Sequence, residues 1–178
     1  MSTRVVYTIG HSTRTADQFV ALLEAHEVTR LADVRTVPRS RHNPQFNGDA
    51  LAETLAAHRI RYVPFPGLGG FRRAAPDSPN GGWRNASFRG YADYMQTDAF
   101  VSNLDALIAL AQKNVVAVMC AEAVPWRCHR SLIADALVVR HFRVEEIVGE
   151  TKTSLHALTP FAVVDGTTIR YPPLDARA

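Results

Sequence analysis

The run VVAVMC, residues 115–120, is apolar throughout. A strand with one face in water alternates apolar and polar residues, whereas a strand covered on both faces reads as one continuous apolar run. Strands of the second kind belong to parallel sheets with helices packed on either side. This stretch therefore places the chain in the α/β class and makes 115–120 a central strand.

The neighbouring segments fit that class. VVYTIG (5–10) is a short β-branched run, followed by Thr15 and Gln18 as a capping box and by Phe19, Leu22, Leu23 and His26 on one helical face. RLADV (30–34) reads as the second strand. Asn47 or Asp49 caps a helix running through Leu51 and Leu55 to His58, and IRYVPF (60–65) is the third strand. After a Gly-, Pro- and Arg-rich stretch, Phe88, Tyr91 and Met95 mark a short helix. Thr97 caps a longer one carrying Phe100, Leu104, Leu107, Ile108 and Ala111. The central strand follows, then a helix over 129–141 and a strand RVEEIV at 143–148. Within FAVVDGTTIRYP (161–172), Asp165-Gly166 between two β-type runs signals a type I′ hairpin.

With 178 residues, 47% of them hydrophobic, the chain can bury a core of its own, and no repeat, low-complexity tract or linker interrupts it. The expectation is a single α/β domain over 1–178, with a mostly parallel sheet flanked by helices and a C-terminal β-hairpin. No apolar run approaches the roughly 18 residues that a membrane span needs. The opening MSTRVVYTIG lacks the apolar segment of a signal peptide, so the expected compartment is the cytoplasm and no membrane partner is expected. Two cysteines alone do not make a disulfide framework. The net charge of +3 comes almost wholly from arginine, with Lys only at 113 and 152. Arginine suits bidentate binding of phosphate and carboxylate.

In open α/β sheets ligands bind beyond the carboxyl ends of the strands. Read that way, the first strand delivers Gly10, His11, Ser12 and Arg14. The second delivers Asp33 and Arg35, with Arg39, Arg41 and His42 behind them. The third runs into Gly67-Leu68-Gly69-Gly70-Phe71-Arg72-Arg73, and the central strand ends in Cys120 and Glu122 before Arg127, Cys128, His129 and Arg130. These turns converge on one edge. Bland alternatives stand beside each: His11 and Ser12 as caps of the first helix, Asp33 and Arg35 as a plain ion pair, and the glycines as permissive backbone rather than an anion nest.

Three chemistries fit the turn at 120–130. Arg127, His129 and Arg130 can bind an anion at a helix N-terminus, with the sulfurs only packing. Cys128, just before a helix and beside His129 and Arg130, can be a thiolate nucleophile or redox thiol, with Cys120 as the core thiol. Zinc at Cys120, Cys128 and His129 is the weakest, because the spacing matches no zinc pattern and a fourth ligand is not evident. The strand–Cys–loop–Arg–helix layout resembles cysteine phosphatases and rhodaneses, but six residues rather than five separate Cys120 from Arg127.

TIGHSTR (8–14), LADVRTVPRSRHNPQFN (31–47), PGLGGFR (66–72), FRGYADYM (88–95), CAEAVPWRCHR (120–130) and LTPFAVVDG (158–166) together resemble the bacterial and archaeal family called domain of unknown function 488. The resemblance implies a compact α/β fold and supplies no activity, so function rests on the site.

The reading favoured on the residues is an enzyme, a transferase or hydrolase, acting on an anionic, phosphate-bearing small molecule of the nucleotide kind. Arg35, Arg72 and Arg130 hold the anion with the Gly69 and Gly70 amides, with Ser12, Arg14, Arg127 and Cys120 beside them. Asp33 or Glu122 handles protons with His11 or His129, and Cys128 is the candidate nucleophile; no cofactor is implied. The rival is a nucleic-acid binding or processing protein, in which Arg73, Arg84 and Arg89 interleave with Trp83 and Tyr91. A non-catalytic interaction module is the remaining alternative. The loop from Gly67 to Ser87 is expected to be exposed and mobile, acting as a lid.

Overall fold

The computed structural model describes residues 3–176. Its core is a six-stranded sheet in the order β3-β2-β4-β1-β5-β6. The strands are β1 (Val5–Gly10), β2 (Arg30–Asp33), β3 (Arg61–Pro64), β4 (Val116–Cys120), β5 (Arg143–Gly149) and β6 (Lys152–Leu155). All neighbours pair in parallel except β5 and β6. A separate antiparallel hairpin joins β7 (Val163–Asp165) to β8 (Thr168–Arg170). Five helices complete the fold: α1 (Ala16–Ala25), α2 (Gly48–Ala56), α3 (Ala86–Tyr94), α4 (Asp98–Ala111) and α5 (Arg130–Val138).

Every residue of β4 is buried, as its continuous apolar run requires. Its side chains divide between two cores. Ala117 and Met119 pack with Phe19 and Leu23 of α1 and Leu51 and Leu55 of α2. Val116, Val118 and Cys120 pack on the other side with Tyr91, Phe100, Leu104, Leu132 and Leu137 of α3, α4 and α5. The chain therefore leaves β4 toward one face, while its neighbours β1 and β2 lead to helices on the opposite face. That divergence opens a crevice at the carboxyl end of β4, the place where doubly wound sheets bind ligands.

Local signals were faithful where their partners were local. The Thr15–Gln18 capping box forms, with both reciprocal bonds present, and Thr97 caps α4. Asn47 occupies the cap of α2, but its side chain accepts from the Ser40 N–H at 2.8 Å instead of from the helix. Three expectations are corrected. Helix α3 begins at Ala86, because the Asn85 side chain accepts from the Ser87 N–H and starts the helix there. The hairpin turn consists of Gly166 and Thr167, with positive φ at Gly166 alone, so it is a glycine-first turn rather than type I′. Strand β6 was not foreseen, since KTSL is short, largely exposed and lacks an apolar face.

A fourth correction concerns residues 67–87, expected to be an exposed, mobile lid; much of the segment is exposed, but it is not loose. This segment is pinned. Tyr91 Oη donates to the Leu68 carbonyl at 2.8 Å and Tyr94 Oη to that of Gly67 at 2.6 Å. Asn80 is fully buried; it donates to Asp93 at 2.7 Å and accepts from the Tyr171 N–H at 2.9 Å. Trp83 packs among the rings of Phe88, Phe161 and Tyr171. The anchors are single polar residues and the stretch just after the hairpin, Tyr171 being 91 positions from Asn80, which no periodicity in the segment discloses. Asn80→Ala leaves Asp93 and the Tyr171 N–H without this partner, at an expected cost of about 1–3 kcal/mol. Urea denaturation measures that cost, and limited proteolysis should show faster cleavage within 74–82 than in the wild type.

Candidate active site

The crevice at the end of β4 is a cavity of about 460 Å³. Its base is formed by Cys120, Cys128 and His129, and Arg35, Arg39 and Arg127 also line it. The turn that builds the base is clamped to β1. His11 N–H donates to the Cys120 carbonyl at 2.9 Å and Ser12 N–H to that of Ala121 at 3.0 Å. Gly10 is required there: a Cβ at this position would stand 1.9 Å from the Glu122 carbonyl oxygen.

The two sulfurs stand 2.7 Å apart, Cys120 at 2% exposure and Cys128 at 7%. His129 Nδ1 lies 3.5 Å from Cys128 Sγ, and Nε2 lies 3.0 Å from the Val34 carbonyl. A carbonyl only accepts, so Nε2 carries a proton and Nδ1 is left to exchange one with the sulfur. Nucleophile, base and orienting group are thus in line. The hydrogen bond from the Cys120 thiol holds the Cys128 thiol well below its ordinary range, opposed by burial and helped by His129 and the Arg130 backbone N–H. Burial pushes the Cys120 thiol well up, and its sulfur neighbour adds to this. Arg130 Nη1 lies 2.7 Å from Cys120 Sγ and favours its thiolate, but burial and the neighbouring Cys128 sulfur outweigh it, so Cys120 keeps its proton more tightly than Cys128.

The remaining sequence candidates divide into those that meet the cavity and those that support it. Glu122, Gly70 and Arg127 line it. Glu122 is exposed, and its carboxylate accepts from the Val124 N–H at 3.1 Å. Asp33 does not reach the cavity. It is 1% exposed and holds Arg35 through Nε at 2.9 Å and Nη2 at 2.7 Å, while Tyr62 Oη donates to it at 2.5 Å. Asp33 thus lies behind the cavity and fixes the Arg35 guanidinium at its wall. His11 is also buried: Nδ1 donates to the Ser12 carbonyl at 2.8 Å, and Nε2 faces Arg35 Nη1 at 3.4 Å. Burial, with Arg35 adding to it, lowers the imidazole pKa against the Ser12 bond, so His11 is a neutral acceptor stacked on Phe46.

Arg130, Arg72, Arg14, Ser12 and Gly69 lie outside the cavity lining. Arg130 is fully buried and tied to Glu146 and to the carbonyls of Glu122 and Ala123. Arg72 lies over the Tyr94 ring at 3.7 Å and donates to the Gly69 carbonyl. Arg14 donates to the Gly10 carbonyl, Ser12 is in a left-handed turn, and Gly69 abuts Thr36. Of the residues read as a nucleic-acid surface, Tyr91 is 1% exposed and lines the cavity, and Trp83 is half-buried in an aromatic cluster. Arg89 donates to the Trp83 and Arg84 carbonyls, while Arg73 and Arg84 are exposed. No group of three or more His, Cys, Asp or Glu is arranged to hold a metal among the described residues, and none of their helices is long and apolar enough to cross a membrane. The lining residues not singled out from sequence include Thr36, Val37 and Asn85. Only the basic cluster at 39–42 hinted at Arg39.

Fold and site together define an α/β protein with a cysteine–histidine pair in a crevice at the carboxyl edge of its sheet. The family model described as "Domain of unknown function DUF488" matches residues 15–137, from the cap of α1 through most of α5, and the chain belongs to that family. No curated protein and no solved structure matches it.

Proposed function

We propose that the crevice is the active site of an enzyme that acts on an anionic, phosphate-bearing small molecule of the nucleotide kind, with Cys128 as nucleophile and His129 as its proton partner. The observation that carries this reading is the Cys128–His129 pair at the base of a cavity whose other walls include Arg35, Arg39 and Arg127. The volume is in the range of small-ligand sites. The guanidinium groups of Arg39 and Arg127 suit phosphate oxygens, while Arg35 stays tied to Asp33 at the wall, and Phe71, 91% exposed beside them, offers a ring face for a nucleobase. In a transfer or hydrolysis, the Cys128 sulfur bonds to the electrophilic centre of the bound ester. The leaving oxygen departs with the proton from His129 Nδ1. Water or an acceptor then takes the group from sulfur and returns the thiol.

Inorganic phosphate, pyrophosphate and AMP should slow alkylation of Cys128 by iodoacetamide, and Arg39→Ala or Arg127→Ala should weaken that protection. Unchanged alkylation at saturating concentrations of all three compounds would remove the anionic substrate. Phe71 and Trp126, 91% and 72% exposed near Arg73 and Arg127, favour a second reading as a single-strand nucleic-acid site. That reading requires oligonucleotide affinity to fall steeply with salt, whereas a nucleotide enzyme binds the mononucleotide as well as the strand.

A further inference from the structure

We propose that Cys120 and Cys128 are a reversible dithiol/disulfide pair, oxidised by small hydroperoxides that enter through the crevice. In the nucleophilic reading Cys120 only donates a hydrogen bond to Cys128, yet its sulfur lies 2.7 Å from that of Cys128 and lines the same cavity. The turn between them, residues 121–127, is held by backbone bonds and by Arg130, which reaches the Glu122 and Ala123 carbonyls and the Cys120 sulfur together. The two thiols are thus kept facing each other by groups that do not depend on a ligand. Both sulfurs line a cavity of about 460 Å³, room enough for a hydroperoxide to reach them.

The chemistry balances in two steps. The Cys128 thiolate attacks the distal oxygen of a hydroperoxide; the O–O bond breaks, the proximal oxygen leaves as alkoxide or hydroxide, and the distal OH stays on the sulfur as a sulfenic acid. The Cys120 sulfur then attacks the sulfenic sulfur. Its proton and the departing hydroxide form water, and the disulfide closes. A low-molecular-weight dithiol returns two electrons and restores both thiols. Arg130 favours the second step, because its Nη1 donor steadies the developing charge on Cys120. The disulfide itself needs only the two thiols and the cavity; its consequence, loss of the nucleophile and a silent crevice, rests on the proposed function.

The test uses the full-length protein treated with hydrogen peroxide and digested with trypsin. Cleavage after Arg127 puts the two cysteines on separate peptides, which stay together only if a disulfide joins them. The expected result is a joined pair, two hydrogens lighter than the sum, that dithiothreitol separates. In Cys120→Ser the expected product is a Cys128 sulfenic acid trapped by dimedone, passing to the sulfinic and sulfonic acids. Wild-type protein in which Cys128 gains two or three oxygens while Cys120 stays a free thiol would overturn the pairing, as would peroxide leaving both thiols intact. The outcomes are separable from the function: failure of phosphate protection leaves the disulfide standing, and failure of the disulfide leaves phosphate protection standing.

Discussion

Arg130→Met is expected to lower the stability of the fold by about 3–5 kcal/mol, the scale for removing one partner of a buried ion pair. Arg130 is fully buried and meets Glu146 through Nη2 at 2.6 Å and through Nε at 3.4 Å. Its other donors hold the Glu122 carbonyl and, at 3.1 Å, that of Ala123. Methionine fills a comparable length of core. It leaves Glu146 charged and buried with the Thr8 hydroxyl as its remaining partner, and it frees the loop carbonyls. The loss should therefore come from the stranded partners more than from the missing attraction. On that account Arg130→Met combined with Glu146→Leu should recover much of the stability of the single variant. Urea midpoints of the single and double variants check this. A cost below about 1 kcal/mol for Arg130→Met, the scale of a solvated pair, would mean that water reaches the guanidinium and would return Arg130 to the arginines that can hold a ligand.

The same residue shows where sequence reading stopped. That Arg130 and Cys120 belong to one locality was legible, because strand ends in a parallel sheet converge. That Arg130 faces inward was not, because its counter-charge Glu146 sits on β5, 16 positions on, where the RVEEIV strand points one acid inward and the other outward. Asp33 is a similar case: its spacing to Arg35 disclosed the pair, but Tyr62, which closes off the carboxylate, comes from β3. What was legible was set by local physics. The continuous apolar run gave β4 its place, and the Thr15–Gln18 pattern gave α1 its start. Which arginine of a basic turn faces the crevice depends on loop paths. Arg39 and Arg127 meet the cavity, while Arg72, next to the Gly-rich turn, folds onto Tyr94.

Alkylation of Cys128 should stay fast at and below neutral pH, where an ordinary thiol has become slow. Only the thiolate reacts, and an unperturbed cysteine loses about tenfold in rate for each unit below roughly pH 8.5. In the fold, the Cys120 hydrogen bond outweighs burial, and with His129 and the Arg130 N–H it keeps the Cys128 proton off far below that value. The sign follows: thiolate is fully populated above the unfolded pKa, persists as pH falls through neutrality, and is lost only as pH falls through the depressed folded value. Stability from this group runs the same way, present in alkali and lost in acid. The rate at Cys128 should thus be flat from about pH 8.5 down past neutrality, while the urea-unfolded protein shows the ordinary slope. Cys120, with its proton held more tightly, should be the slower thiol throughout. Cys120→Ala removes the largest stabilising contact, so the profile should move back toward the ordinary thiol and the rate at neutral pH should drop by about tenfold or more, one pKa unit being tenfold. His129→Ala should move it the same way by a smaller amount. Rates are read by peptide mass spectrometry at a series of pH values. A Cys128 rate that climbs tenfold per unit through neutrality in the folded wild type, and is indifferent to Cys120→Ala, would leave two packed sulfurs and no nucleophile at the base of the crevice.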